Sequence, residues 1–195
     1  MATKTLTILV AGHDAPSARQ VADGFAGAGD VRVVVLEGLE DLVSRVAALA
    51  PGAVVATLGT PDHATLEPLF RLARSGGCAV VLFAERVEAG VSALAVEAGV
   101  AAFVVDGLRP DRVRPIVETA LSRYAAFETL KRERDEARTQ LAERKLIERA
   151  KGILMQQKSL TEEQAYAALR KAAMKQGRRI ADIAQSVITA AEVGI

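Results

Sequence analysis

The chain has 195 residues, of which half are hydrophobic and only 4% aromatic, and its formal net charge at pH 7 is +1. No apolar run reaches the ~18 residues of a membrane span, and the amino terminus has no signal-peptide pattern. We therefore expect a cytoplasmic protein that does not enter a membrane. The single cysteine, Cys78, excludes a framework of internal disulfides and fits a reducing compartment.

Five short apolar runs alternate with helical patterns in the first part of the chain. The runs begin at Leu6, Val31, Ala53, Ala79 and Ala102. The helical patterns lie at about 15–27, 39–49, 62–75 and 86–98, and another starts near residue 110. Buried parallel strands joined by helices have this pattern. It predicts an α/β fold with a five-stranded, doubly wound parallel sheet, whose functional edge lies at the carboxyl ends of the strands.

The helical pattern that begins at Pro110 has no clear end. Between Pro115 and Gly152 the sequence contains neither Gly nor Pro. Apolar residues recur in this segment at heptad spacing, with Arg134 in the intervening core position. These residues, which we call the dimer seam, are Phe127, Leu130, Ala137 and Leu141. They predict a connecting coiled-coil helix over residues 122–142 and favour a homodimer; an exposed single helix is the alternative.

Residues 143–195 have the pattern of three short helices. The first ends near Lys158, and Thr161 with Gln164 forms a capping box that opens the second. Gly177 ends the second helix, and the third begins near Arg179. The residues predicted to face the interior include Ala150, Ala165, Ala168, Leu169, Ala172, Ala173 and Ala184. The pattern predicts a small three-helix bundle, whose core is only marginally stable by itself.

The charge is distributed unevenly along the chain. Residues 1–121 contain 10 Lys and Arg against 14 Asp and Glu, a net charge of −4. Residues 144–179 contain 10 Lys and Arg against 3 Glu, a net charge of +7. A basic segment attached to an acidic domain predicts that the C-terminal part meets a polyanion, although a solvated helix surface explains the charge equally well.

The predicted sheet domain, residues 1–121, resembles the receiver domains of two-component response regulators, which have a flavodoxin-like fold. A working receiver has an acidic pair after its first strand. In this chain Gly12 and His13 occupy those positions, and only the neighbouring Asp14 is acidic. Thr57 stands at the position of the phosphoacceptor Asp.

The other two positions of a working receiver also differ. The fourth apolar run ends in Phe83 and Ala84, without the Ser or Thr that follows it in receivers, and Asp106 replaces the Lys after the fifth run. Phosphoryl transfer needs an oxygen nucleophile and a cation. The resemblance therefore implies a receiver-like domain that is not phosphorylated. His13 and His63 lack further ligands at short spacing, so we expect no metal site, no cofactor and no catalysis.

Three stretches of the C-terminal module resemble the ANTAR RNA-binding domain of bacterial antitermination regulators; they are residues 147–155, 163–174 and 179–184. The resemblance implies binding to hairpins in messenger RNA leaders. The candidate RNA-binding residues are Arg149, Lys151, Tyr166, Arg170, Lys171, Arg178 and Arg179. The cations would contact phosphates, and Tyr166 would either stack on a loop base or brace the second and third helices.

The whole chain is similar to nitrate-responsive antiterminators of the NasT type, through residues 100–108 and the segments Thr60–Asp62 and Thr65–Glu67. That resemblance implies control by a regulatory sensor protein, which fits the missing phosphorylation residues. A DNA-binding response regulator and a protein-interaction adaptor are the alternatives. A major-groove recognition helix should carry polar residues near its N-terminus, and the third helix offers few beyond Arg178, Arg179 and Asp182.

Overall fold

The computed structural model of the protein describes residues 5–193. The chain forms two compact units, Met1–Glu128 and Thr129–Ile195. The division between them falls inside the predicted connecting helix, residues 122–142, and the limits predicted at 121 and 143 stay predictions. Residues 1–4 and 194–195, at the outer ends of the two predicted domains, lie outside the described residues.

The first unit contains the predicted five-stranded sheet. Its strands are β1 Leu6–Gly12, β2 Val31–Glu37, β3 Ala53–Leu58, β4 Ala79–Ala84 and β5 Ala102–Val105. All neighbouring strands are parallel, and their order is β2-β1-β3-β4-β5. The chain therefore has the doubly wound α/β fold that the alternating pattern predicts, and this prediction is confirmed.

The helices of this unit are α1 Ala15–Asp23, α2 Leu42–Leu49, α3 His63–Ser75, α4 Val91–Glu97 and the first part of α5 Pro110–Lys158. Three of them are shorter than the sequence pattern suggests. After Asp23 the chain tightens into turns, with Phe25 N donating to Ala22 O at 3.0 Å, so α1 does not reach residue 27. Gly90 has a φ of +92°, a left-handed conformation that cannot belong to an α-helix, so α4 starts only after it. α2 begins only at Leu42, because Asp41 is its N-cap residue.

The sheet is covered on both faces by hydrophobic clusters. Successive residues of a strand point to opposite faces, so Leu9 and Leu82 pack on one side with α3, whereas Ile8 and Phe83 pack on the other. The second cluster contains Val113 and further apolar residues of the early part of α5. Every residue of β3 and β4 is buried, which explains their continuous apolar sequence.

The second unit consists of the later part of α5 with α6 Glu162–Gln176 and α7 Ile180–Val193. α5 is one continuous helix of 49 residues, so the predicted connecting helix and the first helix of the bundle are the same element. The core of the unit contains Ala150 and Leu154 of α5, Leu169 of α6 and Ile188 of α7.

One residue of α6 does not lie where the sequence analysis places it. Ala165, Leu169 and Ala173 form the buried face, at intervals of four residues. Ala172 is half-buried and Ala168 is exposed. The prediction that Ala168 faces the interior is wrong, because the buried face of α6 is a narrow stripe and Ala168 lies outside it.

Candidate nucleic-acid interface

The beginning and the end of α6 are determined locally by its capping residues. The Thr161 hydroxyl accepts from Gln164 N at 3.3 Å, and the Gln164 side chain accepts from Thr161 N at 3.0 Å. This is the predicted capping box, in which two backbone N–H groups of the first turn find partners. At the other end Gly177 adopts a φ of +63°, and its N–H closes the last turn.

Lys151 lies inside the helical unit and not on its surface. Only 8% of its side chain is exposed. Its Nζ donates to both carboxylate oxygens of Glu148 at 2.9 Å and to Glu162 Oε1 at 2.6 Å. The hydrogen bond with Glu162, and then that with Glu148, raises the pKa of Lys151, and the bond to Lys151 lowers the pKa of Glu162. Lys151 therefore links α5 to the first turn of α6.

Two further candidate RNA-binding residues make ion pairs between elements of the same unit. Arg149 of α5 donates to Glu192 Oε1 of α7 at 2.7 Å. Arg179, just before α7, donates to Glu143 Oε1 of α5 at 2.8 Å. The two arginines therefore link the helices through ion pairs. All four side chains are partly or well exposed, so the arginines also border solvent.

Arg178 has weaker contacts. Its guanidinium lies 3.5 Å from Gln176 Oε1 and 3.4 Å from the Asp182 carbonyl oxygen. Both distances are at the long end for a hydrogen bond, and the residue is exposed. Arg178 is therefore held only loosely beside the α6–α7 turn.

Tyr166, Arg170 and Met174 recur every fourth residue and lie on one exposed side of α6, which we call the outer α6 face. Tyr166 is 43% exposed and Met174 is 74% exposed, and Arg170 and the adjacent Lys171 are exposed as well. Within residues 5–193, no carboxylate lies within ion-pair distance of Arg170 or Lys171. The sequence pattern predicts Tyr166, Arg170 and Lys171 as contacts but not Met174, although the spacing of Met174 from Arg170 is a usable signal.

The four predicted receiver positions are brought together at the carboxyl edge of the sheet. His13 N donates to the Thr57 carbonyl oxygen at 3.0 Å, and His13 Nε2 lies 2.8 Å from Asp14 Oδ2. Asp14 also caps α1, where its carboxylate accepts from Ser17 N at 2.6 Å, and this bond is the main cause of its lowered pKa. Asp106 lines the same cavity as His13 and Thr57.

Gly12 and Thr57 are packed too closely for the side chains of a working receiver. A Cβ atom at Gly12 would lie 2.8 Å from Thr57 Oγ1 and 2.8 Å from Ala18 Cβ, so an acidic side chain cannot enter without displacing its neighbours. In the part of the chain that the structure describes, no three His, Cys, Asp or Glu residues are grouped to hold a metal ion.

The residues of the dimer seam are exposed along α5. Phe127, Leu130 and Leu141 each expose more than half of their surface, and Ala137 is exposed too. Arg134, in the intervening core position, donates to the neighbouring Asp135 at 2.8 Å. None of the helices within residues 5–193 combines the length and apolar composition of a membrane span.

Comparison with solved structures defines the class of the sheet domain. The chain is similar to an orphan response regulator of H. pylori, with a TM-score of 0.52 and 14% identity, over 60% of this chain and 98% of that chain. At this identity the likeness shows the fold alone. The five parallel strands with their flanking helices therefore have the fold of receiver domains, as the resemblance implied.

The helical unit identifies the chain more closely. Residues 135–188 match the ANTAR domain. The chain is 51% identical over 49 residues to the nitrate regulatory protein of Klebsiella oxytoca, and 32% identical over 92 residues to the transcriptional regulatory protein PdtaR of Mycobacterium tuberculosis. These matches cover 25% and 47% of this chain, but only 12% and 45% of the two relatives. Residues 135–188 are therefore similar to an ANTAR domain, and the sheet unit has the receiver fold.

Proposed function

We propose that this protein is an RNA-binding antitermination regulator that holds messenger RNA leader hairpins on the outer α6 face. The observation that carries the proposal is the exposure, on one side of an ANTAR helix, of an aromatic ring, a guanidinium and a thioether beside a further ammonium. RNA loops present unstacked bases and phosphates together, and such side chains bind both.

The ion pairs of the helical unit separate the candidate residues into two groups. Arg170, Lys171 and Tyr166 are the direct RNA contacts of the proposal, because their polar groups face solvent. Arg149 and Arg179 form ion pairs that link α5 to the other helices of the unit. In the proposal they contribute positive potential to its surface. Each reaches a phosphate only by giving up its carboxylate partner. Arg178 is an additional phosphate contact.

In this proposal a regulatory sensor protein, and not a phosphoryl group, brings the signal to the receiver-type domain. Thr57 carries no carboxylate, and the close packing at Gly12 blocks the acidic pair. The name of the Klebsiella relative supports a nitrate signal. The proposal places the protein in the cytoplasm and gives it no enzymatic activity. Its domains are the receiver-like domain at 1–121, the connecting helix at 122–142 and the RNA-binding domain at 143–195.

The proposal also includes a homodimer formed through the dimer seam. Large apolar side chains at heptad spacing lose their contact with water when two such helices pair. The substitution pair Leu130→Glu and Leu141→Glu should convert a dimer into a monomer in sedimentation equilibrium, with Glu133→Gln as a surface control. A monomeric parent chain at micromolar concentration would contradict this part of the proposal.

The central test measures binding of the full chain to a fluorescent leader hairpin and to a DNA duplex of equal length, over a series of salt concentrations. We expect salt-sensitive binding that prefers the hairpin. Arg170→Gln with Lys171→Gln should flatten the salt dependence by ~1.4–1.8 in log K against log salt, since each lost phosphate contact is worth ~0.7 on a single strand and ~0.9 on a duplex.

A matched control removes the same charge from the other unit. Arg112→Gln with Arg123→Gln changes two exposed cations of α5 in the receiver-type domain and should leave hairpin binding within twofold of the parent chain. Equal affinity for the DNA duplex would favour the DNA-binding alternative. No binding to either nucleic acid at low salt would favour the interaction adaptor.

A further inference from the structure

Two ion pairs connect α5 with the α7 side of the helical unit. Arg149 Nη2 lies 2.7 Å from Glu192 Oε1, and Arg179 Nη1 lies 2.8 Å from Glu143 Oε1. The side chains of the two arginines are 61% and 71% exposed. Ion pairs that are this open to water contribute little to the stability of a fold, so both can break while the buried core of the unit stays folded.

The two carboxylates occupy positions that phosphate groups can also take. A carboxylate and a phosphate both bind a guanidinium group through charge-assisted hydrogen bonds from its N–H groups. Arg179 directly follows Arg178, an exposed phosphate contact of the proposed function. α5, α6 and α7 share one core, and packed helices lie only ~8–10 Å apart. A hairpin on the outer α6 face therefore brings further phosphates near the α5–α7 side, where they compete with the carboxylates.

The two arginines differ in the number of their partners. Within residues 5–193, Glu192 is the one carboxylate within ion-pair distance of Arg149. Arg179 has a second partner besides Glu143, because its Nη2 lies 3.4 Å from Asp182 Oδ1. Loss of the Glu192 charge therefore releases Arg149 completely, whereas loss of the Glu143 charge leaves Arg179 beside Asp182.

We infer that Glu192 and Glu143 are internal competitors of RNA, each of which holds an arginine of a second phosphate-contact surface until a phosphate displaces it. This inference rests on the proposed RNA-binding function and adds a means of regulation to it. Every phosphate that reaches Arg149 or Arg179 must first break an ion pair, so these arginines add little to the affinity for an arbitrary polyanion. A nucleic acid that lacks the contacts of the outer α6 face is therefore bound weakly.

The test measures the affinity of the full chain for a fluorescent leader hairpin over a series of salt concentrations. In Glu192→Gln one arginine becomes available to phosphate without a competitor. The slope of log K against log salt should steepen by ~0.7–0.9, and binding at about 0.1 M salt should become about fivefold tighter. Glu143→Gln should act in the same direction with a smaller effect, because Asp182 still neutralises Arg179.

Two controls connect this gain in affinity to the released arginine. Glu163→Gln removes the same charge from α6, where no cation lies within ion-pair distance of Glu163 among residues 5–193. This variant should leave the slope unchanged. Arg149→Gln combined with Glu192→Gln should abolish the gain, because the arginine that would bind the phosphate is then missing.

The outcomes separate the inference from the function on which it rests. An unchanged affinity in Glu192→Gln, or a gain that survives in the double variant, would overturn the inference and leave the RNA-binding proposal intact. A parent chain that binds no hairpin would overturn both. Circular dichroism verifies the helix content of each variant, and if Glu192→Gln unfolds, Glu143→Gln with and without Arg179→Gln decides by the same criteria.

Discussion

The substitution Lys151→Met tests whether Lys151 positions a helix or binds a phosphate group. An ammonium group has three N–H donors. In this structure three carboxylate oxygens lie within 2.9 Å of Lys151 Nζ, two from Glu148 and one from Glu162. All three donors are occupied, and the side chain is nearly inaccessible. Lys151→Met keeps the aliphatic stem and releases the first turn of α6 from α5.

The salt dependence of RNA binding gives the magnitude of the expected effect. A lysine that contacts phosphate contributes ~0.7–0.9 to the slope of log K against log salt. When such a contact is lost, the decrease in affinity between about 50 and about 200 mM salt becomes about threefold smaller. Lys151→Met should lower hairpin affinity at every salt concentration and leave that slope unchanged. The physical reason is that the variant disturbs the position of the outer α6 face and removes no phosphate contact.

Fluorescence anisotropy with a labelled hairpin, at five or more salt concentrations, measures both quantities. Arg170→Gln is the matched control, since it removes one exposed cation from α6 and should reduce the slope by ~0.7–0.9. Circular dichroism verifies that both variants keep their helix content. If Lys151→Met flattened the slope as much as Arg170→Gln does, Lys151 would be a phosphate ligand, and the argument from its burial would be wrong.

Three further predictions concern stability and reactivity. Leu169 is 1% exposed at the centre of the helical core, so Leu169→Ala should lower the free energy of unfolding by about 2–5 kcal/mol in urea titrations; a loss well below this range would show that the core closes around the gap. The pKa of Glu162 is lowered from 4.5 by Lys151, so this pair stabilises the folded state above that pH and the stabilisation disappears as the pH falls through the folded value. Melting temperatures between pH 6 and pH 3 should therefore decrease less steeply in Glu162→Gln than in the parent chain, and parallel curves would contradict the linkage. Burial raises the pKa of the Cys78 thiol to about 11, so iodoacetamide should leave the native protein unmodified and alkylate it only after unfolding, as read by mass spectrometry.

Much of the fold could be predicted from the sequence because its signals are local. Strands separated by helical patterns are recognised from the period of their apolar residues, and the capping box at Thr161 lies within four consecutive residues. The helix ends were predicted less well. The turns after Asp23 and the left-handed Gly90 depend on backbone conformations that the apolar pattern does not encode.

The candidate site could be predicted only in part. A count of basic residues predicts an RNA-binding surface on the helical unit, but it gives Lys151 and Arg170 the same role. The structure places the nearly inaccessible side chain of Lys151 between the carboxylates of Glu148 and Glu162, and it places Arg170 in solvent. The difference arises because Glu162 lies 11 residues from Lys151 along the chain and meets it only when α6 folds back against α5.

The sequence by itself determined the order of the elements, the absence of the receiver's phosphorylation residues and the basic character of the C-terminal module. These properties depend on residue type and on spacing within a few turns of the chain. The tertiary structure alone decided which cations are neutralised, which face of α6 meets solvent and how closely Thr57 packs against Gly12. Such properties depend on distances between side chains far apart in the sequence, and packing sets those distances.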